Sequence, residues 1–229
     1  MLKRKSIYVI GTGTDVGKTY VTGLLLKELR QQGINAGYYK VALSGAEFDG
    51  DKLVPGDAAH VCRISGLDVA PETLVSYIYQ PAVSPHLAAN WSGCQVEWSR
   101  IDSDFHRLRN QYDFLAVEGS GGIVCPIRLE GEESILLSDV IRHWNLDTIL
   151  VADSGLGTIN NTVLTAKYVQ SEGIRCCGII MNRFEMENPM HRDNLSCIER
   201  LTNISVLGTI APNENAIFWR KNSPFFTFG

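Results

Sequence analysis

Two lysines, two acidic residues and one threonine carry the chemistry this sequence can do. Lys18 and Thr19 close the run Gly11-Thr12-Gly13-Thr14-Asp15-Val16-Gly17-Lys18-Thr19. A turn of this kind points several backbone N–H groups at one anion, and the positive end of a following helix adds to the pull. Lys18 supplies a point charge for outer phosphates, and the Thr19 hydroxyl is placed to reach Mg²⁺. The usual phosphate loop has a glycine five positions before Gly17, but that position is Thr12, flanked by Gly11 and Gly13. The bland alternative is a glycine-rich turn that holds nothing. It is disfavoured by context, because an apolar strand-like run, Ile7–Ile10, leads in and a helical pattern leads out.

Glu118 ends the apolar run "FLAVE", where an acid is costly to bury unless it meets a cation. Asp57 opens a short helical segment after an acidic loop, where it is placed to bind a metal, with a simple helix cap as the bland alternative. Lys40 closes a second apolar run. It either snorkels to solvent or faces Lys18 across one anionic centre, where two ammonium groups stabilise charge developing in phosphoryl transfer.

These residues need a scaffold that brings strand ends together. Residues 6–10, 35–42, 113–122, 148–153, 176–183 and 204–212 read as strands, most of them continuously apolar, and 73–79 as a further strand. Helical patterns at 18–31, 57–65, 84–91, 97–111, 158–172 and 190–202 alternate with them. Residues 43–56 read as a loop. The alternation predicts an α/β fold, a doubly wound and mostly parallel sheet with helices on both faces, in one domain over 1–229. Ligands in such sheets sit beyond the carboxyl ends of the strands, where the residues above fall.

Composition narrows the classes. The chain has 229 residues, is 45% apolar and carries a formal charge of −4, which disfavours nucleic acid or an anionic membrane as the main partner. No apolar run is long enough for a membrane span, no signal peptide opens the chain, and Lys3-Arg4-Lys5 reads as a solvated start. Six cysteines lack Cys-x-x-Cys spacing and five histidines lack ligand pairing, so the thiols are expected buried and reduced, and no zinc or redox site is expected. A cytoplasmic location follows as an expectation.

With the motifs assembled, the sequence resembles the dethiobiotin synthetases, ATP-dependent cyclo-ligases with a variant phosphate loop. The segments that carry the resemblance are "GTGTDVGKT" (11–19), "GYYKVALSGAE" (37–47), "GDAA" (56–59), "SPHLAA" (84–89), "VEGSGG" (117–122), "GLGTINNTVLT" (155–165), "GIIMN" (178–182) and "LGTIAPNEN" (207–215). The family's loop also has its first glycine one residue early, as Gly11 is here. The resemblance implies the P-loop NTPase fold, ATP as co-substrate, Mg²⁺ as cofactor, and carboxylation and ring closure of 7,8-diaminononanoate with CO₂ or bicarbonate. The carbamate oxygen attacks the γ-phosphate to give a carbamic–phosphoric anhydride. The second amine then closes the ring and releases phosphate, with ADP as the other product.

Residue by residue, the resemblance puts Lys18 and Lys40 on the carbamate and γ-phosphate, and Thr19, Asp57 and Glu118 on the metal. Asp15, Val16, Gly17, Lys18, Thr19 and Tyr20 would hold ATP, with Asp57, Glu118, Gly119, Ser120 and Gly121 beside them. Asn182 would read the adenine with Arg183, and Pro212 and Asn213 would close over it. Thr14, Lys40 and Ser44 would contact substrate, as would Gly155, Leu156, Gly157, Thr158 and Asn160 across a homodimer interface. His86 is expected to orient a helix start. Two departures stand out: Val41 follows the lysine where the family commonly has proline, and the tail 218–229 has no family counterpart.

Other classes remain. A partition or cell-division ATPase switch shares the loop variant, but the position of its cross-dimer lysine is Gly13 here. A regulatory GTPase needs Asn-Lys-x-Asp, and "MNRF" (181–184) is not that. The amide-forming ligases of cobalamin synthesis carry an added glutaminase domain. A non-enzymatic nucleotide-binding module would not need Lys40, Ser44 and Glu118 together.

Overall fold

The computed structural model describes residues 5–130 and 133–220. In chain order the first half comprises β1 (Lys5–Gly11), α1 (Lys18–Gln31), β2 (Ala36–Leu43), β3 (Glu47–Asp49), β4 (Lys52–Val54) and α2 (Gly56–Ser65). A short 3₁₀ turn, Pro71–Leu74, then leads to β5 (Val75–Ile78), α3 (Pro85–Ser92), α4 (Trp98–Gln111) and β6 (Phe114–Glu118). The second half comprises β7 (Pro126–Glu130), β8 (Glu133–Leu136), α5 (Leu137–His143), β9 (Asp147–Ala152) and α6 (Thr158–Ser171). It closes with β10 (Cys176–Met181), α7 (Pro189–Thr202), β11 (Val206–Thr209) and β12 (Phe218–Trp219).

Eight strands form one sheet in the order β12-β11-β10-β9-β1-β6-β2-β5, with two separate hairpins, β3-β4 and β7-β8. All pairs in the large sheet are parallel except β11 with β12, which places the start of the unplaced tail as an antiparallel edge strand. Residues 221–229 of that tail, and Lys3 and Arg4, lie outside the described residues. The central strands are apolar because both faces are covered: Ile7–Ile10 and Phe114–Val117 are all at most 1% exposed. Alternation still decides which helix each residue meets. On β2, Tyr39 turns to α4, its hydroxyl paired with Ser76 at 2.7 Å and donating to Ile101 O at 3.2 Å. Lys40, the next residue, turns to the opposite face, where α1 and α2 lie. Helix α1 buries Val21, Leu24, Leu25 and Leu29 against the sheet, as its periodicity predicts.

The structure departs from the sequence reading in four places. The segment 43–56 contains the β3-β4 hairpin, whose three-residue strands are too short and exposed to show alternation. Residues 126–143, unassigned from sequence, form the β7-β8 hairpin and α5. Strand bounds are tighter than the apolar runs, with β6 ending at Glu118 and β11 at Thr209. The six cysteines are free, but none is fully buried and Cys94 is exposed.

Candidate active site

The loop Thr12–Gly17 joins β1 to α1 across the carboxyl edge of the sheet, at the point where β9 flanks β1 on one side and β6 on the other. Gly17 caps α1 at φ 93°, a left-handed conformation that glycine adopts without strain. A Cβ there would stand 2.1 Å from Asn182 Nδ2, so the position also has no room for a side chain. Asn182 follows β10 and donates from Nδ2 to Val16 O at 3.0 Å, which ties the end of a distant strand to the loop. Arg183 secures the outer side, bonding to Asp153 Oδ2 and to Asp15 O, each at 2.9 Å.

Beneath the loop, β2 and β6 deliver their charged residues side by side: Lys40 and Glu118 are registered partners. Lys40 Nζ donates to Glu118 Oε1 at 3.0 Å and to Asp57 Oδ2 at 2.5 Å. Thr19 Oγ1 donates to the same Glu118 oxygen at 2.8 Å. Lys18 is 7% exposed and folds back to donate to Gly13 O at 2.9 Å.

The electrostatics follow from this crowding. Burial pushes the pKa of Lys18 down and Lys40 adds to the effect, against the pull of Glu118, Asp57 and Asp15. Burial would lower Lys40 as well, but Glu118 and Asp57 outweigh it and hold its pKa above the ordinary value. Asp57 stays below the usual carboxylate range, since Lys40 overcomes the cost of burial.

Both lysines line one cleft of about 610 Å³, together with Thr14, Asp15, Gly17, Thr19, Tyr20, Asp57, Glu118, Gly121 and Arg183. A second hollow of about 250 Å³ is lined by Gly17, Tyr20, Asn182, Arg183, Ala211, Pro212 and Asn213. The Tyr20 hydroxyl donates to Glu214 O, pinning the 211–215 loop to α1. The two hollows share Gly17, Tyr20 and Arg183, so they adjoin along the loop.

Some expected residues do not line either hollow. Val16 is buried beneath the loop. Gly119 packs over Tyr8, where an added Cβ would meet the ring at 3.1 Å, and Ser120 donates to Ala42 O at 2.6 Å. Ser44 and the segment Gly155-Leu156-Gly157-Thr158 with Asn160 also lie off the cleft lining. Leu156 is 95% exposed, and Thr158 donates to Asp153 O at 2.6 Å. His60 and Gly56 line the cleft unforeseen. The signal for His60 was its spacing, one helical turn after Asp57.

Asp57 does not cap α2. The helix begins at Gly56 with Pro55 before it, and no side chain makes a cap bond. The Asp57 carboxylate is taken by Lys40 instead. His86 lies in the first turn of α3, with Nδ1 buried and without a hydrogen-bond partner.

Two carboxylates and a hydroxyl converge here, and an ammonium bridges the carboxylates. The residues present therefore suit a cation, and hard oxygen donors of this number suit Mg²⁺ held jointly by protein, phosphate and water. Among the described residues, no group of three or more His, Cys, Asp or Glu side chains forms a metal cage.

Fold and site together define a P-loop nucleotide-binding α/β protein. Solved structures with the same fold include a ParA-family ATPase from Chlorobium tepidum TLS (TM-score 0.57, 16% identity, 93% of this chain and 86% of that one). The cell-division protein MinD of Aquifex aeolicus is another (TM-score 0.54, 15% identity, 90% and 81%). At these identities the likeness is one of fold alone. Residues 5–217 match the family model described as an AAA domain. The ATP-dependent dethiobiotin synthetase BioD of Clostridium perfringens strain 13 is 46% identical over 211 residues, 92% of each chain. That of Clostridium botulinum strain Langeland is 48% identical over 190 residues, 83% of each. The chain belongs to the dethiobiotin synthetase family.

Proposed function

We propose that the protein is the ATP-dependent ligase that carboxylates 7,8-diaminononanoate and closes the ureido ring of dethiobiotin. The observation that carries the reading is the shared cleft of Lys18 and Lys40. Phosphoryl transfer to a carbamate oxygen asks for alignment of oxyanions and for positive charge on the transferring group. The loop N–H groups and Lys18 hold the phosphates. Lys40, released from one of its carboxylates, neutralises the carbamate. Thr14 and Ser44 would contact the substrate, and the adenine would lie toward Asn182 with Pro212 and Asn213 over it.

Thr19, Asp57 and Glu118 would hold Mg²⁺, which when bound neutralises the β and γ oxygens. No side-chain nucleophile is required, because the substrate supplies both the attacking oxygen and the closing amine. The protein acts as a homodimer in the cytoplasm, the exposed 155–160 segment of one protomer completing the diamine site of its partner. In support, the helix N-terminus at Gly157 is an anion-binding feature suited to the substrate carboxylate.

The test is an assay of purified protein with MgATP, bicarbonate and the diamine, following dethiobiotin beside ADP. Equal amounts of both are expected. Hydrolysis of ATP indifferent to the diamine would instead favour an ATPase switch.

A further inference from the structure

Glu118 presents its two oxygens to different surroundings. Oε1 accepts from Thr19 and Lys40 at the cleft, whereas Oε2 is buried and has no hydrogen-bond partner. A second buried polar atom without a partner, the Tyr38 hydroxyl, lies in the same region. Tyr38 is opposite Ala116 in the β2–β6 register, and Lys40 is opposite Glu118. Residues two apart on a strand share a face, so Tyr38, Lys40, Ala116 and Glu118 all lie on the α1–α2 side of the sheet. The small Ala116 leaves the tyrosine ring the diagonal toward Glu118.

Tyr8, the other buried phenol without a partner, is registered with Val117 and so lies on the opposite face, against Gly119. Tyr38 is fully buried, and its phenol O–H is a donor that has to find an acceptor on this face of the sheet.

We propose that Tyr38 is a positioning residue for the metal site: its hydroxyl donates to Glu118 Oε2 and so presents Oε1 to the cation bound with the nucleotide. This rests on the reading of Glu118 as a ligand of the metal. A carboxylate held on its rear oxygen cannot swivel, and loss of such a supporting bond weakens metal affinity without removing a ligand. Thr19 and Lys40 both donate to Oε1, so Oε2 is the oxygen left for Tyr38.

The experiment measures Mn²⁺ affinity in the presence of ADP by electron paramagnetic resonance, for wild type, Tyr38→Phe and Glu118→Gln, with ADP affinity in EDTA and thermal midpoints alongside. Tyr38→Phe is expected to weaken Mn²⁺ about tenfold, with ADP affinity in EDTA and the midpoint unchanged. A change in Mn²⁺ affinity below about threefold overturns the proposal, given the effects such supporting residues have. So does an equal loss of ADP affinity in EDTA, or failure of Tyr38→Phe to fold, either of which makes the hydroxyl merely structural. If Glu118→Gln keeps wild-type Mn²⁺ affinity, the ligand assignment falls and this inference falls with it. If Glu118→Gln loses affinity and Tyr38→Phe does not, only the role of Tyr38 is rejected.

Discussion

Lys40 and Glu118 are registered partners on adjacent parallel strands, and their side chains meet at 3.0 Å under the phosphate loop. Both are buried, and Asp57 supplies the second carboxylate on the same ammonium. Lys40 therefore neutralises both acids in this structure, and under the proposed reaction the same ammonium would meet the carbamate.

Removing that ammonium should affect rate and stability differently. Lys40→Gln is expected to cut turnover by about two orders of magnitude, the scale for losing one fixed stabiliser of transition-state charge. It also leaves Glu118 buried beside Asp57 without Lys40, a loss of about 3 kcal/mol on the scale for a broken buried pair. Added Mg²⁺ should raise the melting midpoint of Lys40→Gln more than that of the wild type, since a divalent cation replaces the missing charge. Calorimetric scans with and without Mg²⁺ measure this, and equal Mg²⁺ effects on both proteins would separate Lys40 from the metal site.

Gly17 and Asn182 make a steric prediction. At φ 93° an added methyl group both strains the backbone and meets Asn182 Nδ2. Gly17→Ala should cost about 2 kcal/mol, from the left-handed penalty and the displaced side chain. In a chain of this size that lowers the melting midpoint by about 4–8 °C. ADP affinity should fall as well, because the displaced Asn182 borders both the loop and the second hollow. A variant with a wild-type midpoint would mean that the loop relaxes freely.

The strand residues around this site were legible because their signal is local. Continuous apolar runs marked β1, β6, β9 and β10, and the polar residues directly after them marked the site. Asp57 was half legible. Its place at a helix start suggested a cap, but its partner is 17 positions earlier on another element, and no local pattern encodes such a pairing. The β3-β4 hairpin went unseen because its short, exposed strands have no face to alternate against, and β7-β8 because it buries little beyond Ile127 and Ile135, too few positions to show a period. Val41 in place of proline leaves β2 intact: it is 1% exposed, within a strand paired on both sides, so the sheet itself aims Lys40.

The charge network sets a pH profile. The pKa of Asp57 is depressed in the folded protein, so its contribution to stability is present above the ordinary value of 3.8 and is lost as pH falls below it. The pKa of Lys40 is raised, so its contribution holds up to the ordinary 10.5 and fades as pH rises beyond it. Lys18 has the opposite sign. Its charged form is disfavoured by burial, and that penalty is relieved as pH climbs toward 10.5. Nucleotide affinity should therefore weaken on the alkaline side through Lys18, before Lys40 titrates. Phosphate binding should restore the proton to Lys18. Titration calorimetry of ADP in buffers of different ionisation enthalpy should show proton uptake on the alkaline side, absent in Lys18→Gln. Uptake that survives in Lys18→Gln would assign the proton to another group.

Leu156 tests whether the diamine site is shared between protomers. Leu156 is 95% exposed immediately before the N-terminus of α6, and Leu164 on that helix is 62% exposed. Placing a charge there should oppose association without disturbing the nucleotide cleft, which residues 155–160 do not line. Leu156→Arg is thus expected to run as a monomer in light scattering, to bind ADP like the wild type, and to need about tenfold more diamine for half-maximal rate, the scale for losing one buried contact region. A monomer with an unchanged requirement for diamine would place the whole substrate site within one chain. A dimer with an unchanged requirement would move the interface elsewhere.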